Sequence, residues 1–404
     1  MKIYLIKASA GSDYSKYKAE TGGPPQNIFA AAAATPKRYQ LEMTDETIGM
    51  KTNFNSTADL IVIFASTPDA YRAYDISEQF SEKGKTVILG GLHVKFNQVE
   101  AAKYAHALIL GEVENYWEDM LNNFQQGELK DCYESQEPLD LSRLNPYPTD
   151  LISPKEYEYT WSVVVTRGCP FKCDFCLVPK FFNKFKMRPI ENIVTELTHL
   201  KSLGIEWVEL HSDNLTYNRE YAIELFEAIA PIGLKFYGET TVLIARDEEL
   251  LQAAKKAGVK ALLLGIETPS VEALKAQKKG FVKPDKMKSY METIKKYDIE
   301  VWGDFLFGFD EHTPTIFQET LDFVKEIKVD KVIPHFMIPF PGSETFIKLD
   351  KDSRILTKDW SQYDGSHSVY QPKNMTTVEL EEGVYWMWKK TSGFMEKLKY
   401  MFMN

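Results

Sequence analysis

Cysteine is scarce in this chain, with four in 404 residues, and so few thiols exclude the disulfide framework of a small secreted scaffold. Long apolar runs are missing as well. The opening Met1-Lys2-Ile3-Tyr4-Leu5-Ile6-Lys7 is too short for a signal h-region and reads as a strand, and no later run approaches the length of a membrane span. Positive charge is outnumbered, 48 Lys and Arg against 58 Asp and Glu, and the net charge of -10 argues against a general affinity for nucleic-acid phosphates. Internal repeats are absent, and the only biased tract, Phe29 to Ala34, reads as the buried face of a helix. These absences predict a soluble cytoplasmic protein of two or three domains in a reducing compartment.

What is present is rhythm. Residues 2 to 7, 39 to 44, 59 to 65, 85 to 89 and 106 to 110 are apolar, often β-branched runs, separated by helix-length amphipathic stretches such as 68 to 83 and 114 to 124. Near-continuous hydrophobicity, as in Asp59-Leu60-Ile61-Val62-Ile63-Phe64-Ala65, predicts a parallel sheet buried on both faces, with a ligand crevice at the strand carboxyl ends. The fold class is α/β, with a flavodoxin-like (Rossmann-type) domain over 1–125. Residues 126–160 lose the rhythm, gain Pro138, Pro146, Pro148 and Pro154, and read as a linker in which Cys132 stands alone as an incidental thiol. Alternation resumes over 161–342, with strands at 161 to 166, 205 to 211, 234 to 239, 259 to 266, 300 to 307 and 331 to 338. Helices are expected near 190 to 202, 218 to 230, 247 to 257, 284 to 297 and 313 to 327. Six such units suit a partial (β/α)6 barrel with its active groups at the strand carboxyl ends. Residues 343–404 form a helical extension, with apolar positions at Leu380, Val384, Met387 and Trp388, then Met395, Leu398 and Phe402, broken at Gly393.

The remaining cysteines fall in one loop after the first of these later strands: Thr166-Arg167-Gly168-Cys169-Pro170-Phe171-Lys172-Cys173-Asp174-Phe175-Cys176. Three thiolates can hold three irons of a [4Fe-4S] cube and leave the fourth open to an exogenous ligand. Zinc normally takes four ligands in two pairs, and a disulfide would leave one thiol over. The basic run Lys180, Lys184, Lys186 and Arg188 reads as a solvated face, with a role near an anionic group as the alternative.

The spacing Cys-x3-Cys-x2-Cys and its flanks closely resemble those of radical S-adenosyl-L-methionine (SAM) enzymes. The resemblance implies that SAM chelates the open iron and is cleaved by a cluster electron to a 5'-deoxyadenosyl radical, with a flavodoxin or ferredoxin as electron donor. Cys169, Cys173 and Cys176 would be the catalytic and metal-binding residues. Ser212, Asp213 and Asn214 would hold the SAM amino group, Glu267 in Leu264-Gly265-Ile266-Glu267 the ribose hydroxyls, and the Phe175 backbone the adenine. Glu239-Thr240-Thr241 is a substrate-side candidate.

The first domain resembles the cobalamin-binding domain that precedes the radical SAM domain in one large subgroup. The resemblance rests on Gly23, Pro24 and Pro25, on Ser66 and Thr67, on Gly90, Gly91 and His93, and on Gly111 and Glu112. The Asp-x-His-x-x-Gly motif of mutase-type domains is missing. The cobalamin is therefore expected to be base-off without a histidine ligand, its lower face covered from the Ser66 to Tyr71 turn. His93 is expected on the nucleotide-loop side, and His106 as a structural histidine. Together these features imply an oxygen-sensitive, cobalamin-dependent radical SAM C-methyltransferase acting on an unactivated carbon. One SAM would methylate Co(I) and a second would supply the radical, in a cavity that both cofactors face. Ring closure, ring contraction or oxidation, or a corrinoid sensor without turnover, are the alternatives. The acceptor could be a lipid, a protein or peptide side chain, or a small metabolite.

Overall fold

The computed structural model describes residues 1–11, 23–135, 137–157 and 161–391. They form two compact units. The first comprises Met1–Thr160, Lys180–Asn183 and Asp359–Asp364, and the second Trp161–Pro179, Lys184–Lys358 and Gly365–Asn404.

The first unit is built on strands β1 (Lys2–Lys7), β2 (Gln40–Asp45), β3 (Leu60–Phe64), β4 (Thr86–Gly90), β5 (Ala107–Ile109) and β6 (Cys132–Tyr133). All are parallel, in the order β2-β1-β3-β4-β5-β6, so the chain winds outward in both directions from β1 and β3. Every side chain of β3 is buried, as the apolar run predicts for a strand covered on both faces. The crossovers carry α1 (Gln26–Ala34), α2 (Ala70–Ser81), α3 (Leu92–Phe96), α4 (Gln98–Ala101) and α5 (Trp117–Gln126). Pro25 precedes α1, where its fixed φ suits a helix start, and Ile28 to Ala32 are buried; of the face read from the sequence as Phe29 to Ala34, Ala33 and Ala34 are only half-buried. The short β6 lies within the expected linker. Two residues carry no period, so only the pairing of Leu108 and Ile109 with Cys132 and Tyr133 reveals it. Tyr157 ties the linker down, donating to a buried Asp45 oxygen at 2.8 Å.

The second unit holds β7 (Trp161–Val164), β8 (Thr166–Arg167), β9 (Lys186–Met187), β10 (Trp207–His211), β11 (Lys235–Thr240), β12 (Val259–Glu267), β13 (Glu300–Phe307) and β14 (Lys331–Phe336). Six of these strands run parallel in the sequence order β7-β10-β11-β12-β13-β14, the arrangement of an open half-barrel. Strands β8 and β9 pair antiparallel as a separate ladder. The helices in chain order are α6 (Val178–Phe182), α7 (Ile190–Ser202), α8 (Arg219–Ile229), α9 (Glu248–Ala257), α10 (Val271–Ala276), α11 (Met287–Lys295), α12 (Ile316–Ile327), α13 (Glu344–Lys351) and α14 (Thr377–Thr391). Their ends follow local chemistry. Asp247 caps α9 by accepting from Leu250 N at 3.0 Å, Lys255 and Lys256 occupy its last turn, and Gly258 leaves it at φ +99°.

Helix α13 follows Gly342, within the stretch read as a helical extension; Ser343 caps it by accepting from Phe346 N at 3.0 Å. One residue departs from the sequence reading. Arg188 does not lie on a solvated face: it is buried, donating to Glu196 at 2.6 Å and to the Val164 carbonyl at 3.2 Å. Helix α14 carries the predicted Leu380, Val384 and Met387 face inward, whereas Met395, Leu398 and Phe402 lie outside the described residues. No helix among the described residues is long and apolar enough to cross a membrane.

Candidate functional site

Alternation along the half-barrel strands divides its concave face into layers. At the floor Tyr237, Leu263, Trp302 and Ile333 pack with Ala261, and the Lys331 ammonium lies 5.0 Å from the Trp302 ring centroid. Above them the residue type changes to acids and imidazoles. Glu209 accepts from Ser162, and its other oxygen lies 3.0 Å from His211 Nδ1. Burial alone would lower His211, but the Glu209 carboxylate overrides it and holds the imidazole at about 8. Asp304 lies 3.2 Å from His335 Nε2 and raises that imidazole against burial. Glu239 opens on the lumen yet is walled in by protein. That enclosure, with Glu209 next in effect, pushes its carboxyl up to about 8.

The cysteine loop closes the strand carboxyl ends. Its entry depends on Gly168 at φ +87°, where a Cβ would lie 2.3 Å from the Lys184 carbonyl oxygen. The Gly168 amide donates to Asp213 Oδ2 at 2.7 Å, so an acid at the end of β10 fixes the start of the loop. Cys169, Cys173 and Cys176 are free thiols of intermediate exposure. Burial pushes Cys173 up to about 11 and Cys176 up to about 12, and each is raised further by the neighbouring thiols. Among the described residues no three Cys, His, Asp or Glu side chains converge as ligands of a single ion.

Around the thiols the predicted residues come together. Asn214 is buried, bonded to Cys169, and accepts from Thr240 at 3.2 Å; Ser212 reaches the Glu239 carbonyl at 3.4 Å. Glu267 follows a β-bulge after Gly265 and holds φ +66°, rare for a residue with a Cβ. It is buried against Lys279, which lies 5.8 Å from the Phe175 ring centroid. A Cβ on Gly265 would sit 2.5 Å from both Glu267 Oε1 and Lys279 Nζ, so the glycine makes room for the ion pair. Sequence reasoning missed Lys279, Asp304, His335 and the Glu209–His211 pair. Acids and imidazoles on the intermediate-exposure positions of β10, β13 and β14, among apolar neighbours, are the signal that was available.

At the carboxyl edge of the first unit, Ser66 donates to Asp69, which also takes the Lys7 ammonium at 2.8 Å and the Ala10 amide at 3.0 Å. Thr67 is buried beside them. Gly90 lies under the Phe64 ring, and Gly91 packs on the Ala65 carbonyl, so both serve the turn. His93 is fully buried: its Nε2 lies 3.0 Å from the Tyr74 hydroxyl, its Nδ1 3.2 Å from Asn97 Nδ2, and Glu100 approaches to 3.8 Å. Trp360 closes the cluster, donating to both Glu100 oxygens at 2.9 and 3.0 Å. His106 accepts from the Val87 amide at 3.1 Å. Gly111 differs from the other turn glycines. At φ +127°, a Cβ there would meet only the Tyr116 hydroxyl, at 3.9 Å, and that hydroxyl is buried with no hydrogen-bond partner among the described residues. Open space beside an unsatisfied donor fits a ligand, next to Glu112 and on the side where α1, after Gly23, Pro24 and Pro25, packs.

Residues 163–324, which include the cysteine loop, β10 and β12, match the Radical SAM superfamily. The chain carries a radical SAM domain and is an enzyme. Its three free thiols and the Asp213 and Glu267 positions lie inside that domain. Over 89% of its length the chain is 28% identical to a bacteriochlorophyllide d C-12(1)-methyltransferase of Chlorobaculum tepidum, covering 80% of that protein. It is 25% identical to an uncharacterized methyltransferase of Pyrococcus horikoshii, over 95% of this chain and 90% of the relative. In fold it resembles the radical SAM methyltransferase TsrM of Kitasatospora setae, solved with cobalamin and a [4Fe-4S] cluster bound, with a TM-score of 0.72 and 14% identity. That match covers 87% of this chain and 78% of TsrM.

Proposed function

We propose that the protein is a cobalamin-dependent radical SAM C-methyltransferase that methylates an unactivated carbon. The observation that carries the reading is the cysteine loop: three free thiols at a strand end, tied by Gly168 to Asp213 and flanked by the buried Glu267–Lys279 pair. When bound, the [4Fe-4S] cluster with SAM supplies a carbon radical, and the cobalamin supplies a transferable methyl group.

The chain's own residues bind, orient and shield. Cys169, Cys173 and Cys176 hold iron as thiolates, and because burial raises them, loading releases protons. Ser212, Asp213 and Asn214 take the SAM amino group, Glu267 the ribose hydroxyls and the Phe175 backbone the adenine. Lys279 aims Glu267 and opposes the rise that burial imposes on that carboxyl, which stays above its ordinary value. Gly23, Pro24, Pro25, Ser66, Thr67, Gly90, Gly91, Gly111 and Glu112 would border the cobalamin, and the Tyr116 hydroxyl would meet it. His93, engaged on both ring nitrogens, holds a turn of the first unit. A relative named anaerobic magnesium-protoporphyrin IX monomethyl ester cyclase, 25% identical over 81% of this chain, favours non-methylating ring chemistry as the second reading.

Anaerobic reconstitution with iron, sulfide and hydroxocobalamin tests the proposal. Expected are about four irons and about one cobalt per chain, and 5'-deoxyadenosine on reduction with SAM. Iron without retained cobalt refutes the cobalamin assignment. Cobalt retention and deoxyadenosine without methyl transfer to any tetrapyrrole, lipid or metabolite acceptor favour the second reading.

A further inference from the structure

Glu267 sits in a backbone turn that a residue with a Cβ does not favour. The Thr268 amide donates to the Ile266 carbonyl at 2.9 Å, and Glu267 between them holds φ +66°. A hydrogen bond from i+2 back to i around a residue at positive φ is the strained form of the γ-turn, which persists only where its surroundings hold it. Lys279 holds the end of the side chain. The turn itself is held from another strand.

His312 lies four residues beyond Gly308, just past the end of β13, and is 1% exposed. Its Nδ1 lies 3.3 Å from the Gly308 amide nitrogen, and its Nε2 lies 3.0 Å from Thr268 Oγ1. A backbone amide can only donate, so Nδ1 is the bare nitrogen, and Nε2 carries the proton that Thr268 accepts. The same Thr268 oxygen accepts from the Ser270 amide at 3.2 Å. The imidazole thus cross-links the carboxyl ends of β12 and β13, beside the turn. Burial pushes it down to about 3, so the ring stays neutral and keeps one tautomer at neutral pH. Its anchor is firm. Gly308 stands at φ +105°, and its carbonyl accepts from the buried Tyr370 hydroxyl at 2.5 Å. Phe309 fills the space toward the thiol loop, its ring centroid 5.1 Å from that of His312 and 6.0 Å from that of Phe175.

We propose that His312 is a positioning residue, which through Thr268 holds the γ-turn that aims the Glu267 carboxyl at the ribose hydroxyls of SAM. The inference rests on the proposed radical SAM function. His312 itself touches neither SAM nor the cluster; it acts through the backbone on either side of Glu267.

Binding to the reconstituted protein, measured by anaerobic calorimetry with SAM and with a SAM analogue lacking both ribose hydroxyls, tests this. Wild type should bind SAM about tenfold or more tightly than the analogue. H312A should raise Kd for SAM about tenfold and leave Kd for the analogue within about twofold, with iron retained at about four per chain. T268V, which removes the accepting oxygen, should show the same ribose-specific loss, and H312A/T268V should be no worse than either alone. H312Q keeps a donor for Thr268 and should retain most of the affinity. A readout free of cofactor is the nitrogen-15 spectrum of histidine-labelled protein before reconstitution, with the His312 signals assigned by their loss in H312Q. Nδ1 bare and Nε2 protonated from about pH 6 to about pH 8 is expected. An unchanged SAM affinity in H312A, an equal loss for SAM and analogue in H312A and T268V, or a ring protonated at Nδ1 overturns the positioning role. Should H312A lose its iron, T268V and H312Q decide by the same two affinities. Failure of wild type to bind SAM refutes the proposed function instead, and equal wild-type affinities for SAM and analogue refute the ribose assignment of Glu267.

Discussion

His93 offers a test of whether a histidine at a glycine-rich strand end is there for a ligand or for the fold. Burial lowers its imidazole to about 4, with Glu100 opposing the shift, against an ordinary value of 6.5. The unfolded chain therefore binds a proton more readily than the folded one between these values. Its contribution to stability is full above about 6.5 and is lost as pH falls toward 4, a total of about 3 kcal/mol. By pH 5.5 the loss is about 1.4 kcal/mol. Urea unfolding of wild type and H93Q, followed by tryptophan fluorescence with Trp117 and Trp360 as reporters of the first unit, isolates this term by difference. At pH 7.5 H93Q should be the less stable, by about 1 kcal/mol, because Gln cannot reproduce both ring contacts. At pH 5.5 the gap should close or reverse, since Gln has no proton to take up. An equal gap at both pH values would refute the buried-neutral assignment.

Other perturbations follow from the same contacts. Gly168→Ala puts a methyl group 2.3 Å from a backbone oxygen at positive φ, and should cost about 2 kcal/mol or more and lower iron retention on reconstitution, measured by metal analysis. Lys279→Met leaves Glu267 buried and unpaired; a loss of about 3 kcal/mol is expected in chemical denaturation, with K279M/E267Q recovering part of it. Asp304→Asn removes the carboxylate that raises His335, so the His335 ring should titrate lower, read by histidine proton resonances between pH 5 and 9. Trp360→Phe deletes the indole donor to Glu100 and should destabilise the first unit by about 1 to 2 kcal/mol.

The strands were legible where the period was unambiguous. Leu60 to Phe64 could only be a strand covered on both faces, and Cys169 to Cys176 could only be a compact thiol loop. The turns were legible as places, because glycine at Gly91, Gly111 and Gly168 is demanded by backbone geometry. What each turn does was not. Gly91 and Gly111 look alike in sequence, yet one packs on Ala65 and the other faces the Tyr116 hydroxyl, which has no hydrogen-bond partner among the described residues. Short pieces such as β6 and α10 escaped because two or six residues carry no measurable period and exist through their neighbours. Arg188 escaped for the complementary reason. A basic run predicts solvent, and only tertiary structure could deliver Glu196 and the Val164 carbonyl to a buried guanidinium.

The Glu267 region shows how the half-barrel converts a regular sheet into a chemical site. The ladder between β12 and β13 stays in register up to Gly265 and Asp304, then slips by one residue, so Glu267 leaves the pleat that would have fixed its direction. Its φ of +66° costs about 1 to 3 kcal/mol, which a parallel sheet would not tolerate without compensation. The compensation is local. Lys279 meets the carboxylate in the space that Gly265 leaves open, and the ammonium lies against the Phe175 ring inside the cysteine loop. Three elements distant in sequence thus constrain one carboxylate: a bulge that releases it, a glycine that admits its partner, and a thiol loop that holds that partner in place. A substitution at Gly265 would therefore act at the thiol loop as well as in the sheet, since displacing Lys279 removes the cation that faces both Glu267 and Cys173.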